Sequence, residues 1–296
     1  MRLIEQLRQD LDDGGLRGSF LVRDLDSGAE IGIEPDLEYP AASLVKVPLA
    51  LATLDRIRTG EINRAEPILV NSGDLDVPGL PGLTKFRHPA TIALEDLLYL
   101  SVCLSDSTAS DILLERTPPA AVTEFLRAHG HSEITVRHRL MDLSDTPAER
   151  FPSGEGYLAH SLAIGAGTAG RGHPVPQLDV SRANSGTARA YTDLLQAIWR
   201  PSSFDPAVAE RTRELLGNNI LRQRLAPDFA SDASRWSSKT GTLLNLRHEI
   251  GVVEHADGQT FAVVVLTESR VAATVQPGAE ALMAAVARRL RDHLRH

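Results

Sequence analysis

The spacing of apolar residues changes along this chain, and each change predicts a different kind of element. Leu3, Leu7 and Leu11 recur at helical intervals until Gly14-Gly15 stops them, which predicts a short amphipathic first helix. Residues 19–25 and 30–34 are strand-like runs around Asp26-Ser27-Gly28, a good hairpin turn. From Ser43 to about Arg58 the chain is apolar on almost every side, with Leu44, Val45, Val47, Leu49, Leu51 and Leu54, the signature of a helix buried all round.

Helices are then expected over 94–104, 108–116, 120–129, 187–199 and 208–216, with loops between them. Past residue 232 the period returns to that of strands, over 236–243, 247–254 and 260–268. The last of these holds Val263-Val264-Val265, a β-branched run suited to a central strand. A final amphipathic helix carries Leu282, Ala285, Val286 and Leu290 on one face and Arg288, Arg289, Arg291 and His293 toward its C-terminus, where cations suit the helix dipole. Strands at both ends with helices between predict an α/β plus all-α fold. A split α/β domain, 1–57 plus 233–296, has its antiparallel sheet flanked by terminal helices and receives an inserted all-helical domain, 58–232. The stretch 142–183, rich in Gly, Pro and Ser, exceeds an ordinary connection and is expected as a functional loop, partly mobile.

Composition narrows the function. The 296 residues are 42% hydrophobic, enough for a sizeable core. A net charge of -8, dispersed basic residues and 4% aromatics leave no nucleic-acid footprint, so a small-molecule or peptide-like partner is expected. Cys103 is the single cysteine, read as a small buried hydrophobe. No run of 18 apolar residues suggests a membrane anchor, and charges interrupt the first residues where a signal peptide would be apolar. The chain as written is therefore expected in the cytoplasm, or outside the cell if a leader has been removed. No cofactor is indicated. The ten histidines are scattered without ligand spacing, so no metal is expected, and the oligomeric state is not legible.

Three lysines stand against 28 arginines, and two of them occur in Ser43-Leu44-Val45-Lys46 and Lys239-Thr240-Gly241. Arginine stays protonated, whereas a desolvated lysine amine can exchange protons with a serine nucleophile. In such a chain chance gives the first pattern roughly 0.2 times and the second roughly 0.01 times. On a helix the first spacing puts both side chains on one face, within reach of each other.

With Ser105-Asp106-Ser107 between them, these motifs make a set that resembles the class A β-lactamases and penicillin-binding proteins. The resemblance spans nearly the whole chain and implies the same two-domain architecture. It implies that Ser43 is the nucleophile, Lys46 its proton acceptor and Ser105 the proton relay to the leaving nitrogen. Ser107 stands where the family has Asn, which implies altered substrate handling. Lys239, Thr240, Gly241 and Thr242 would line the site from an edge strand. The Lys239 ammonium and the Thr240 and Thr242 hydroxyls would take a substrate carboxylate, and the backbone N–H groups of Ser43 and Thr242 would form the oxyanion hole. Arg247 would aid carboxylate binding or be a surface strand arginine, and Ser105 has the alternative of capping the helix from Thr108. His248 has no assigned role.

One departure bears on the reaction. Class A enzymes carry a deacylating glutamate in an R-L-x-x-x-E pattern, and laying Arg139-Leu140 on its start brings Ser144 to the glutamate's place. Asp142, Asp145, Glu149 and Glu155 are the nearby carboxylates, Asp145 one residue off. Loss of a general base typically costs roughly 10²- to 10⁴-fold. The expectation is a β-lactamase-like serine hydrolase that acylates on a β-lactam, amide or ester bearing a carboxylate and deacylates slowly. The alternatives are a cytoplasmic amidase, esterase or acyltransferase with a non-water acceptor, and a catalytically dead domain that binds a lactam-like ligand.

Overall fold

The two ends of the chain build one sheet. The computed structural model describes residues 2–71, 82–143, 155, 157–166, 171–273 and 275–295. From the N-terminus run α1 (Arg2–Asp13), β1 (Leu16–Asp24), β2 (Glu30–Ile33), β3 (Glu38–Pro40) and α2 (Lys46–Arg58). The middle carries β4 (Pro67–Val70), β5 (Ala90–Ala93), α3 (Leu94–Cys103), α4 (Ser107–Arg116), α5 (Pro119–Ala128), α6 (Tyr157–Ala166), β6 (Ser185–Thr187), α7 (Ala188–Trp199), α8 (Pro206–Gly217) and α9 (Ala226–Phe229). The chain closes with β7 (Ser234–Leu243), β8 (Leu246–His255), β9 (Thr260–Ser269) and α10 (Pro277–Leu294). The sheet is antiparallel throughout, in the order β2-β1-β9-β8-β7, so β7 lies at an edge.

Strand β9 is buried along its whole length because both faces of the sheet are covered. Val263 and Val265 face Leu7, Leu11, Met283, Val286 and Leu290 of the terminal helices. Val264 and Leu266 belong to the opposite core, with Leu44, Leu49 and Leu194. Each such fully buried side chain contributes about 1.5–3 kcal/mol, which explains the unbroken apolar run. On α10 the buried apolar positions are Met283, Ala284, Val286, Ala287 and Leu290, so its inner face is rotated slightly from the expected one.

Several elements depart from the sequence pattern. Strand β1 starts at Leu16, earlier than expected, because it pairs with β9 from Leu16↔Ser269 to Asp24↔Phe261. The helix expected from Ser43 divides into a 3₁₀ turn, Ala42–Val45, and α2. Pro48 has no N–H to give the Leu44 carbonyl, and the Lys46 N–H turns to Ser43 O, so the α-helical ladder opens only at Lys46. Two short ribbons, β3–β6 and β4–β5, were not legible, since three or four residues are too few to display alternation. The 142–183 stretch contains α6, whose Leu162 and Ala163 pack on the main core. Among the described residues no helix is long and apolar enough to cross a membrane. Cys103 is buried as expected and gives its thiol proton to Leu215 O at 3.1 Å.

Candidate active site

The turn that carries Ser43 is held from three sides. Ala42, just before it, has φ +46°, a left-handed conformation that a non-glycine residue adopts only when its surroundings impose it. The Ala41 N–H donates to Asn184 O at 2.7 Å, tying the turn to the base of the 142–183 stretch. His248 Nε2 donates to Pro40 O at 3.0 Å, while its Nδ1 accepts the Thr267 N–H at 3.1 Å. Burial pushes this imidazole down to about 4, so it stays neutral and serves the turn as a fixed strut.

Edge strand β7 closes on the same turn at Gly241. A Cβ there would sit 3.2 Å from Ala41 O, from Leu44 Cγ and from His248 Cβ, closer than an ordinary contact, so the glycine lets the strand pack tightly on the turn. The glycine of the Lys239-Thr240-Gly241 motif thus fixes the strand beside Ser43. Ser43 is half-buried, and among the described residues its hydroxyl has no hydrogen-bond partner.

Ser105 forms the third wall. Its φ of +59° is again left-handed, and it directs both polar oxygens at lysines. Lys46 Nζ donates to Ser105 O at 2.7 Å and approaches Ser105 Oγ at 3.3 Å and Ser107 Oγ at 3.4 Å. Lys239 Nζ lies 2.9 Å from Ser105 Oγ and 2.9 Å from Thr240 O. The cap of α4 is Asp106, whose carboxylate accepts the N–H of Ala109 at 3.0 Å and of Leu83 at 2.7 Å. Gly82 makes room for it, since a Cβ there would fall 2.1 Å from Asp106 Oδ2. Ser105 is therefore the residue before the cap and is free to face the lysines.

Burial dominates the electrostatics. Lys46 and Lys239 are both fully buried. Burial lowers Lys46 to about 7, against the opposing pull of Asp106 and Asp111. Burial lowers Lys239 well below its ordinary value, helped by the charges of Lys46 and Arg224 and opposed by Glu249. An amine that is partly neutral near pH 7 accepts a proton from a serine.

The cation at the outer end of β7 is Arg224, which the sequence pattern did not single out. It is 2% exposed and donates to Gly241 O at 2.9 Å, His248 O at 2.8 Å, Thr242 Oγ1 at 2.6 Å and Glu280 Oε1 at 2.8 Å. It lies in the connection between α8 and α9, where only tertiary packing brings it to the motif. Arg247 is also buried, not a surface strand residue, and its guanidinium holds Leu244 O at 2.6 Å and Leu246 O at 2.7 Å. Thr240 is buried opposite Glu249, whereas Thr242, opposite Arg247, is exposed. Burial raises the Glu249 carboxyl, which accepts from Trp236 Nε1 and from the Leu225 N–H, each at 2.9 Å.

Of the carboxylates near the expected base, Asp142 is turned back on Arg139, accepting its N–H at 2.9 Å and its Nη2 at 3.1 Å. Glu155 is exposed. Ser144, Asp145 and Glu149 lie outside the described residues. No metal-ligating cluster is present among the described residues.

A model of the beta-lactamase enzyme family matches residues 2–294. The chain belongs to the beta-lactamase enzyme family. Like its class A neighbours, this β-lactamase family member is a serine hydrolase. It is 63% identical over 304 residues to the beta-lactamase regulatory protein BlaB of Streptomyces cacaoi, covering 99% of this chain and 97% of that protein. A variant of the last common ancestor of Gram-negative class A β-lactamases, bound to a nitrobenzotriazole transition-state analogue, superposes with TM-score 0.79 at 25% identity, covering 100% of this chain and 99% of the other. A mutant of PBP-A, solved as an acyl-enzyme complex with penicillin G, superposes with TM-score 0.76 at 18% identity, covering 99% and 96%.

Proposed function

We propose that Ser43 forms an acyl-enzyme with a β-lactam, or with a related amide or ester that bears a carboxylate, and that the acyl group is released slowly. The observation that carries this reading is the Ser105 hydroxyl, lying 3.3 Å from Lys46 Nζ and 2.9 Å from Lys239 Nζ beside the Ser43 turn. Ser43 Oγ attacks the carbonyl carbon while its proton passes to neutral Lys46. Ser105 then gives its own proton to the leaving nitrogen as the C–N bond breaks, and recovers one from Lys46. The N–H groups of Ser43 and Thr242 hold the oxyanion, and Lys239, Thr240 and Thr242, with Arg224 behind Thr242, hold the carboxylate. Ser107 has a shorter reach than Asn and bears on the substrate amide less directly. Arg247, occupied with carbonyl groups, supports the β7–β8 hairpin.

Slow release follows from Ser144 at the expected base position and from Asp142 being engaged with Arg139. Intact mass after incubation with penicillins, cephalosporins and simple esters tests the reading. The expected result is an adduct on wild type and none on Ser43→Ala, and failure of every probe to label wild type would refute it.

The 63% identity to a protein named as regulatory favours a second reading, in which the long-lived adduct is a signal and the chain senses β-lactams instead of clearing them. Both readings share the acyl-serine. They separate on turnover: sustained product release at a useful rate would exclude the sensor.

A further inference from the structure

We infer that Asp111 is a positioning residue that couples the segment entered at Leu140 to Lys46, an inference that rests on the acyl-enzyme reading for its catalytic meaning. Asp111 lies one turn beyond Ser107 on α4, on the same helix face, and Ser107 Oγ is 3.4 Å from Lys46 Nζ. Asp111 is 5% exposed, and its carboxylate meets the chain at Leu140 and Met141. Oδ1 accepts the Leu140 N–H at 2.7 Å and Oδ2 accepts the Met141 N–H at 2.8 Å. Two converging N–H donors call for two acceptors, which a carboxylate supplies and an asparagine does not, since its amide would present N–H to N–H.

The charge kept by this arrangement acts inward as well. Two carboxylates bear on Lys46: Asp106 at the cap of α4 and Asp111 one turn further on. Asp106 is occupied with Leu83 and Ala109, so it belongs to the rigid turn. Asp111 differs because its partners lie on the 140–142 segment, where Arg139 and Asp142 are the charged groups that act on it. Displacing that segment admits water to the carboxylate and weakens its support of the Lys46 ammonium. The placement of residues 140–142 is thereby felt at the proton acceptor without any direct contact.

The three lysines make this directly measurable. Carbon-13 NMR of ε-labelled lysine gives signals for Lys46, Lys85 and Lys239, with Lys85, exposed, assigned by Lys85→Arg. Asp111→Asn is expected to lower the Lys46 titration midpoint by about one pH unit and to speed exchange of the Leu140 and Met141 amides. Should that variant fold poorly, Asp142→Asn, at an exposed position, loosens the segment while leaving Asp111 in place, and a smaller shift in the same direction is expected. The readout needs no substrate, so a failure of Ser43 acylation and a failure of this coupling are told apart. A Lys46 midpoint unchanged in the folded variant would overturn the inference and leave Asp111 a purely structural anchor.

Discussion

Lys46 and Lys239 meet at one hydroxyl: their Nζ atoms lie 3.3 and 2.9 Å from Ser105 Oγ, and both side chains are fully buried. Burial is the main reason both amines are held below their ordinary range, and the charge of Lys46 lowers Lys239 further. Asp106 and Asp111 favour charge on Lys46, and Glu249 favours it on Lys239.

Acylation is expected to rise with pH through about 7, the value to which burial brings Lys46, because only the neutral amine accepts the Ser43 proton. Labelling rates with a fluorescent penicillin across pH 5 to 9 check this, and a rate independent of pH below neutrality would count against Lys46 as the acceptor.

Replacing Lys46 should stabilise the fold while abolishing labelling. Unfolded, the amine keeps its proton until about 10; folded, it loses it at about 7. Between those values the unfolded chain binds more protons, so the destabilisation is complete below about pH 7 and fades as pH rises toward 10. Lys46→Met removes that cost. Its melting temperature is expected to exceed wild type at pH 6 by more than at pH 9, at about 2–4 °C for each kcal/mol gained.

The two buried arginines should behave differently. Arg224→Ala takes the cation from beside Thr242 Oγ1 and is expected to cut labelling by carboxylate-bearing penicillins by about 10- to 100-fold, corresponding to a charged hydrogen bond. Neutral esters should be affected far less. Arg247→Ala removes donors from Leu244 O and Leu246 O and should lower stability with equal effect on both probe classes. Side-by-side rates with the two probe classes separate these roles.

Gly82→Ala tests the support of the Ser105 turn. The new Cβ would fall 2.1 Å from Asp106 Oδ2 and displace the carboxylate from Leu83 and Ala109. A loss of about 1–3 kcal/mol is expected in urea unfolding, together with slower labelling, since Ser105 moves with its cap. Unchanged labelling in a destabilised variant would show that the cap serves the fold alone.

Most of the site was legible because its motifs are local. Ser43 and Lys46 are three residues apart, Ser105 and Ser107 adjoin one helix start, and Lys239 to Thr242 share one strand, so the family resemblance could be read motif by motif. Strand 260–268 was visible because its β-branched run Val263-Val264-Val265, buried on two faces, stays apolar without a break. What was missed depends on long-range packing. Arg224 follows α8 in a stretch with no motif and reaches β7 only through the fold, and Asp111 reads as an ordinary helix residue until the N–H groups of Leu140 and Met141 converge on it. Helix α6 was hidden by glycine- and proline-rich flanks. Pro48, the reason α2 opens at Lys46, was in plain view and could have been read.

The central claim is an acyl-serine that forms readily and is released slowly, and time-resolved intact mass spectrometry of wild type and Ser43→Ala with penicillin G tests it most directly. The account predicts that a wild-type adduct accumulates within minutes and persists after excess ligand is removed, with none on the variant. Product release at the rate of an efficient β-lactamase with no accumulating adduct, or an adduct on Ser43→Ala, would contradict it.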